Sequence, residues 1–143
     1  MRNVLIAFDG SASAHRALQY VIDFAKEHKA SLEVHVLNVQ QEPVMFGEYV
    51  TVEMIDQMTQ GFLSKGSEIV KEASNYVESA GLSCKTHVML GNVPEKVRET
   101  VTQLGCDTVV MGTRGLGSLK GLLLGSVATQ VIHEVPVPVV LVK

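Results

Sequence analysis

Five short apolar runs rich in Val and Ile recur along the chain, and the segments between them carry apolar residues at three- and four-residue spacing. A continuous apolar run fits a strand buried on both faces, and the longer period fits a helix with one buried stripe. Strands that alternate with helices build right-handed βαβ units, so the pattern predicts an α/β fold: a doubly wound parallel sheet with helices on both faces.

The first strand is predicted over Asn3 to Phe8, ended by Asp9-Gly10-Ser11. A helix follows from Ser13, with Ala14, Leu18, Val21, Ile22 and Ala25 on its stripe and Lys26, His28 and Lys29 suiting its C-terminus. Ser31 to Val39 reads as a second strand, and Gln40 to Thr51, with Pro43 and Gly47, as a loop. A long helix is expected over Val52 to Ala80, its stripe formed by Met54, Met58, Phe62, Ile69, Val70, Ala73 and Val77. Gly61 and Gly66 each weaken it by about 1 kcal/mol relative to Ala, and Gly81 stops it. Leu82 to Leu90 is a third strand, Val93 to Leu104 a helix with Pro94 near its start, and Asp107 to Met111 a fourth strand. Ser126 to Glu134 is the last helix and Pro138 to Val142 the fifth strand. Five such strands take an order of the 3-2-1-4-5 or 2-1-3-4-5 kind.

A chain of 143 residues suits one compact domain, residues 1–143. The opening apolar run is too short for a signal-peptide core, and no run reaches about 18 apolar residues, so a soluble cytoplasmic protein is expected. Cys84 and Cys106 lie far apart, without disulfide or metal-ligand spacing, and read as ordinary buried thiols. A net charge of −3 with interspersed signs argues against nucleic acid or an anionic membrane as partner.

The segment from Gly112 to Val127 is glycine-rich, with the spacing G-x2-G-x9-G-S across Gly112, Gly115, Gly125 and Ser126. Glycine lets the main chain present its N–H groups closely to a phosphate. Gly125, Ser126 and Val127 open a helix whose unpaired amides and dipole favour an anion. Ser126 can cap that helix or bond a phosphate oxygen, while Arg114 and Lys120 add charge. The loop lacks the Gly-Lys-Ser/Thr of a Walker A motif, and its other glycines miss the dinucleotide spacing. In a 3-2-1-4-5 sheet it would share the crevice at the winding reversal with Asp9-Gly10-Ser11.

These residues resemble the ATP-binding subgroup of the universal stress proteins, whose signature is the same G-x2-G-x9-G followed by Ser or Thr. The likeness extends over Val4 to Ser11, Leu90 to Pro94, Asp107 to Gly117 and Val135 to Val142. It implies the 3-2-1-4-5 sheet and ATP as ligand, with a divalent cation, Mg2+ or Mn2+, held mainly by the phosphates. By matched position, Asp9 resembles the family acid near adenine and ribose, and Val39 the residue whose backbone recognises adenine. Gly91 would flank the ribose. Gly112, Gly115, Gly125, Ser126 and Val127 match the phosphate-binding positions, with Arg114 beside them, and Ala7 and Met111 match apolar walls. Read alone, Asp9 equally suits a turn or cap, Val39 sheet packing, and Gly91 the turn before Pro94.

Asp9 is the one obvious carboxylate at this site, which favours binding with slow or no turnover over a true ATPase or phosphotransferase. A nucleotide-free dimerising protein conflicts with the intact signature, and a flavin binder with the lack of Trp and the position of the loop. A Ser-His-Asp set from Ser11 or Ser13, His15 and Asp9 has no G-x-S-x-G elbow to support it. Histidines 15, 28, 35, 87 and 133 show no metal-ligand pairing. The last strand, flanked by Pro136 and Pro138, belongs at a sheet edge, and a homodimer through Val139 to Val142 is expected, as the resemblance also implies.

Overall fold

The computed structural model describes residues 1–41, 47–116 and 124–143. In chain order the elements are β1 (Asn3–Ala7), α1 (Ala12–His28), β2 (Glu33–Gln40), α2 (Val52–Ser79), β3 (Ser83–Leu90), α3 (Val93–Leu104), β4 (Thr108–Gly112), α4 (Ser126–Glu134) and β5 (Val139–Val142). All strand pairs are parallel and the order is β3-β2-β1-β4-β5. That is the 3-2-1-4-5 arrangement, and 2-1-3-4-5 is excluded.

Alternation along the central strands feeds two cores. Val4 and Ile6 of β1, with Val34, Val36 and Val110, pack against Ala14, Leu18 and Val21 of α1 and Val70, Ala73 and Val77 of α2. Leu5, Leu37, Val109 and Met111 point the other way, against Val97 and Val101 of α3 and Ala128 and Val131 of α4. Burial on both sides is why these strands read as unbroken apolar runs. Helix starts are capped by side chains: Ser11 Oγ accepts from Ala14 N at 3.2 Å, Thr51 Oγ1 from Met54 N at 3.2 Å, and Asn92 Oδ1 from Glu95 N at 3.2 Å.

Several boundaries differ from the sequence reading, each for a local reason. Phe8 follows β1 because its carbonyl accepts from the Asn38 side chain at 2.8 Å. Asp107 precedes β4 because its carboxylate takes backbone N–H groups of the neighbouring strand, whereas Gly112 joins β4 opposite Val142. Ser126 is not the cap of α4: Gly125 holds that position, with no side-chain cap bond. Cys106 is buried, but Cys84 is only half-buried. Along α2 the expected stripe is buried at Val70, Ala73 and Val77 and partly buried at Ile69, whereas Met54 in the first turn is exposed. Gly66, expected to weaken the helix, is required by packing, since a Cβ there would lie 2.5 Å from Val88 Cγ1. None of the described helices is long and apolar enough to cross a membrane.

Candidate functional site

The winding direction reverses between β1 and β4, and beyond their carboxyl ends lies a crevice of about 400 Å³. Ala7, Asp9, Val39, Met111, Gly112, Arg114, Gly115, Gly125, Ser126 and Val127 all line it. Gly91 does not. It continues the edge of the sheet, donating its N–H to the Gln40 carbonyl at 3.0 Å, with φ +135° and a Cβ position 3.0 Å from Lys96 Cε. Of the other residues considered for this region, Met45, Phe46, Gly117, Lys120 and Gly121 lie outside the described residues. Tyr49 is 89% exposed.

One wall is apolar. Ala7, Leu37, Val39 and Met111 come from the strands, and Val93 and Val97 from α3. The opposite wall is polar backbone. Asp9 joins the two loops that flank the crevice: its Oδ1 accepts from Ser11 N at 2.9 Å, and its Oδ2 from Leu116 N at 3.2 Å. Gly115 lies against this carboxylate so closely that a Cβ would fall 2.9 Å from Oδ2. Asp9 is therefore also the turn former that its position before Gly10 suggests. The Gly125 N–H donates to the Thr113 carbonyl at 2.7 Å. That leaves the Ser126, Val127 and Ala128 amides, which have no acceptor inside α4, as the donors of the helix opening that line the crevice.

Ser11 lines the crevice as its place in Asp9-Gly10-Ser11 suggested, whereas sequence reasoning did not single out Asn38 or Thr113 as parts of this site, nor Ser13 behind it. Asn38 is 2% exposed, bonds the Phe8 carbonyl through Nδ2 and accepts from Gln40 Nε2 at 2.7 Å. An amide set between Leu37 and Val39 in the apolar run of β2 was the available signal. Thr113 is buried, its N–H donating to the Val142 carbonyl at 2.9 Å.

The serine, histidine and aspartate near Gly10 do not form a nucleophilic relay. His15 uses Nδ1 on the Ser11 carbonyl at 2.9 Å and Nε2 on Glu72 Oε1 at 3.0 Å. The Ser11 carbonyl, then Glu72, raise its pKa above the ordinary value, because both partners accept hydrogen bonds. His35 and His87 meet across β2 and β3, Nδ1 to Nε2 at 3.0 Å, and burial pushes both pKa values down. Among the described residues no three His, Cys, Asp or Glu side chains gather as a metal site.

Comparison with known proteins gives the same architecture. The family model described as the universal stress protein family matches residues 1–143. A universal stress protein of Thermus aquaticus is 31% identical over 144 residues, which cover 99% of this chain and 98% of that one. The solved structure of the universal stress protein UspA from Lactobacillus plantarum superposes with a TM-score of 0.84 at 18% identity, covering 99% of this chain and 97% of that one. A universal stress protein family structure from Arabidopsis thaliana with AMP bound has a TM-score of 0.73 at 20% identity, covering 100% and 92%.

Proposed function

This chain belongs to the universal stress protein family, and on that footing we propose that its crevice binds ATP and that the nucleotide acts as a conformational ligand with slow or no turnover. The observation that carries this reading is the joining of Asp9 to the glycine loop across the winding reversal, beside the first turn of α4. An apolar slot beside β2 and α3 suits a base, and backbone amides at the other wall suit phosphates. The AMP carried by the Arabidopsis relative supports an adenine nucleotide as the class of ligand.

Ala7, Val39 and Met111 would face the base, with Asp9 towards the ribose; Gly91, off the crevice lining, is given no ligand contact. Gly112, Gly115, Gly125, Ser126 and Val127 would meet the phosphates, with Arg114 adding charge; Gly125 would contribute through its Cα and the space that a missing side chain leaves. A divalent cation, Mg2+ or Mn2+, fits only if the phosphates hold it, since Asp9 is the sole carboxylate among the described lining residues and both its oxygens already accept N–H groups. The cation would neutralise phosphate charge. For the same reason no carboxylate among the described residues is placed to activate water, and turnover should stay below about 1 per second.

The chain would work as one cytoplasmic domain that pairs with a second copy through β5, whose far edge has no neighbour in the described sheet. Calorimetry with ATP and magnesium, together with mass spectrometry of nucleotide released from freshly purified protein, tests the central claim. Saturable uptake is expected. Absence of uptake at millimolar ATP by folded protein would overturn it, and light scattering that finds only monomer at tens of micromolar would overturn the pairing.

A further inference from the structure

We propose that Ser13 is a positioning residue for the phosphate end of this crevice, orienting the Arg114–Gly115 peptide from the first turn of α1; the inference rests on the nucleotide reading above. Ser13 is 5% exposed, and its Oγ donates to the Arg114 carbonyl at 2.5 Å. A serine in a helix has a solvent-facing hydroxyl or one bonded to nearby backbone as its local options. This one reaches across 101 residues of sequence instead. Capping does not need it, because Ser11 Oγ already accepts from Ala14 N. Ser11 Oγ lies 3.3 Å from Ser13 Oγ and 3.4 Å from the same Arg114 carbonyl, so it backs the contact at longer range.

The fit is made by Gly112. A Cβ at that position would fall 2.2 Å from Ser13 Oγ and 2.9 Å from the Ser13 carbonyl carbon. Only glycine lets the end of β4 and the start of α1 approach closely enough for the serine to reach the loop. This gives the first glycine of the G-x2-G spacing a task separate from ligand contact.

A peptide group is planar and trans. Anchoring the Arg114 carbonyl therefore fixes the direction of the N–H on the same peptide, that of Gly115. The next peptide is held through Leu116 N–H on Asp9 Oδ2, and the preceding one through the Thr113 carbonyl, which accepts from Gly125 N. Three successive peptides are thus set in direction by groups outside residues 113–116. A loop whose course is fixed before the ligand arrives needs no reordering on binding, and that advantage falls on the phosphate-bearing part of a ligand rather than on its base.

Affinity for ATP with magnesium and for adenosine, measured by calorimetry on the full chain, separates positioning from mere stabilisation. Ser13→Ala is expected to weaken ATP about tenfold, as for a lost hydrogen bond to an anion-binding segment, and adenosine less than twofold. Ser13→Cys, a weaker donor of similar size, should give a smaller loss with the same selectivity and covers the case in which the alanine variant folds poorly. Thr108→Val deletes a buried hydroxyl at the far end of β4 and should change neither ligand's affinity. Equal weakening of both ligands, or of neither, in the Ser13 variants would overturn the inference while leaving the nucleotide reading intact. Uptake of neither ligand by the unsubstituted protein would overturn the nucleotide reading itself and this inference with it.

Discussion

The two ends of the central strand pair are joined by the same device and turn out differently. At the amino ends of β1 and β4, Asp107 accepts the Arg2 and Asn3 N–H groups at 2.8 and 3.1 Å, and Thr108 Oγ1 at 2.7 Å. Asn3 Nδ2 returns the tie to the Leu104 carbonyl at 2.9 Å. At the carboxyl ends, Asp9 plays the corresponding part with the Ser11 and Leu116 amides. One aspartate closes a packed end and the other borders a crevice. A carboxylate that gathers backbone N–H groups is therefore not itself the mark of a site. The mark is the divergence of chain beyond β1 and β4, where the crossovers leave to opposite faces of the sheet.

The sharpest way to break the comparison is Gly115→Val, whose side chain would press on Asp9 Oδ2 and separate the loops. ATP affinity should fall about a hundredfold, equivalent to losing two charge-assisted hydrogen bonds, with the circular dichroism spectrum unchanged. Asp9→Asn keeps the shape but supplies one good acceptor for two N–H donors. ATP affinity should drop about tenfold by calorimetry, and retention of full affinity would show that the loop is held without Asp9.

At the closed end, Asp107→Ala should cost about 1 to 2 kcal/mol in denaturant unfolding, at the low side for the bonds lost because the carboxylate is part-exposed. ATP affinity should stay within about twofold, as no lining residue is touched. Its pH dependence has a defined sign. Burial opposes ionisation of Asp107, but hydrogen bonds from Thr108, Asn3 and Arg2 outweigh it and hold the pKa below the ordinary 3.8. The stabilisation is present above that value and lost as pH falls through the lower folded value. Asp107→Asn should flatten this acid limb.

The smallest effect belongs to His15. Its pKa is raised by the Ser11 carbonyl and by Glu72, so its contribution is full below the ordinary 6.5 and is lost as pH rises through the higher folded value. With the imidazole 42% and Glu72 68% exposed, solvent screening limits it to a few tenths of a kcal/mol. Thermal melts of Glu72→Gln against pH should show that difference below neutrality and converge above it.

The alternation of apolar runs and helical stripes was enough to read every element of the described fold, with ends shifted by a residue or two. Side chains that compete for backbone groups account for those shifts: Asn38 takes the Phe8 carbonyl, and Asp107 takes two strand amides. The strand order left open by the pattern was implied by the family resemblance and is present in the sheet. Most of the crevice residues were legible because glycine spacing and the Asp-Gly turn are local signals. Ser13 and Asn38 were not, since a hydroxyl or amide reveals its partner only when chain segments distant in sequence come together.

Sequence by itself determined the period of each segment, hence which stretches extend and which coil, because side-chain direction along a strand or helix is a local property of the backbone. Tertiary structure alone decided that Gly66 and Gly112 serve close approach, that Gly125 caps α4, and that Ser13 grips Arg114. Those outcomes depend on distances between segments far apart in the chain, and such distances arise only when the two faces of the sheet have been covered.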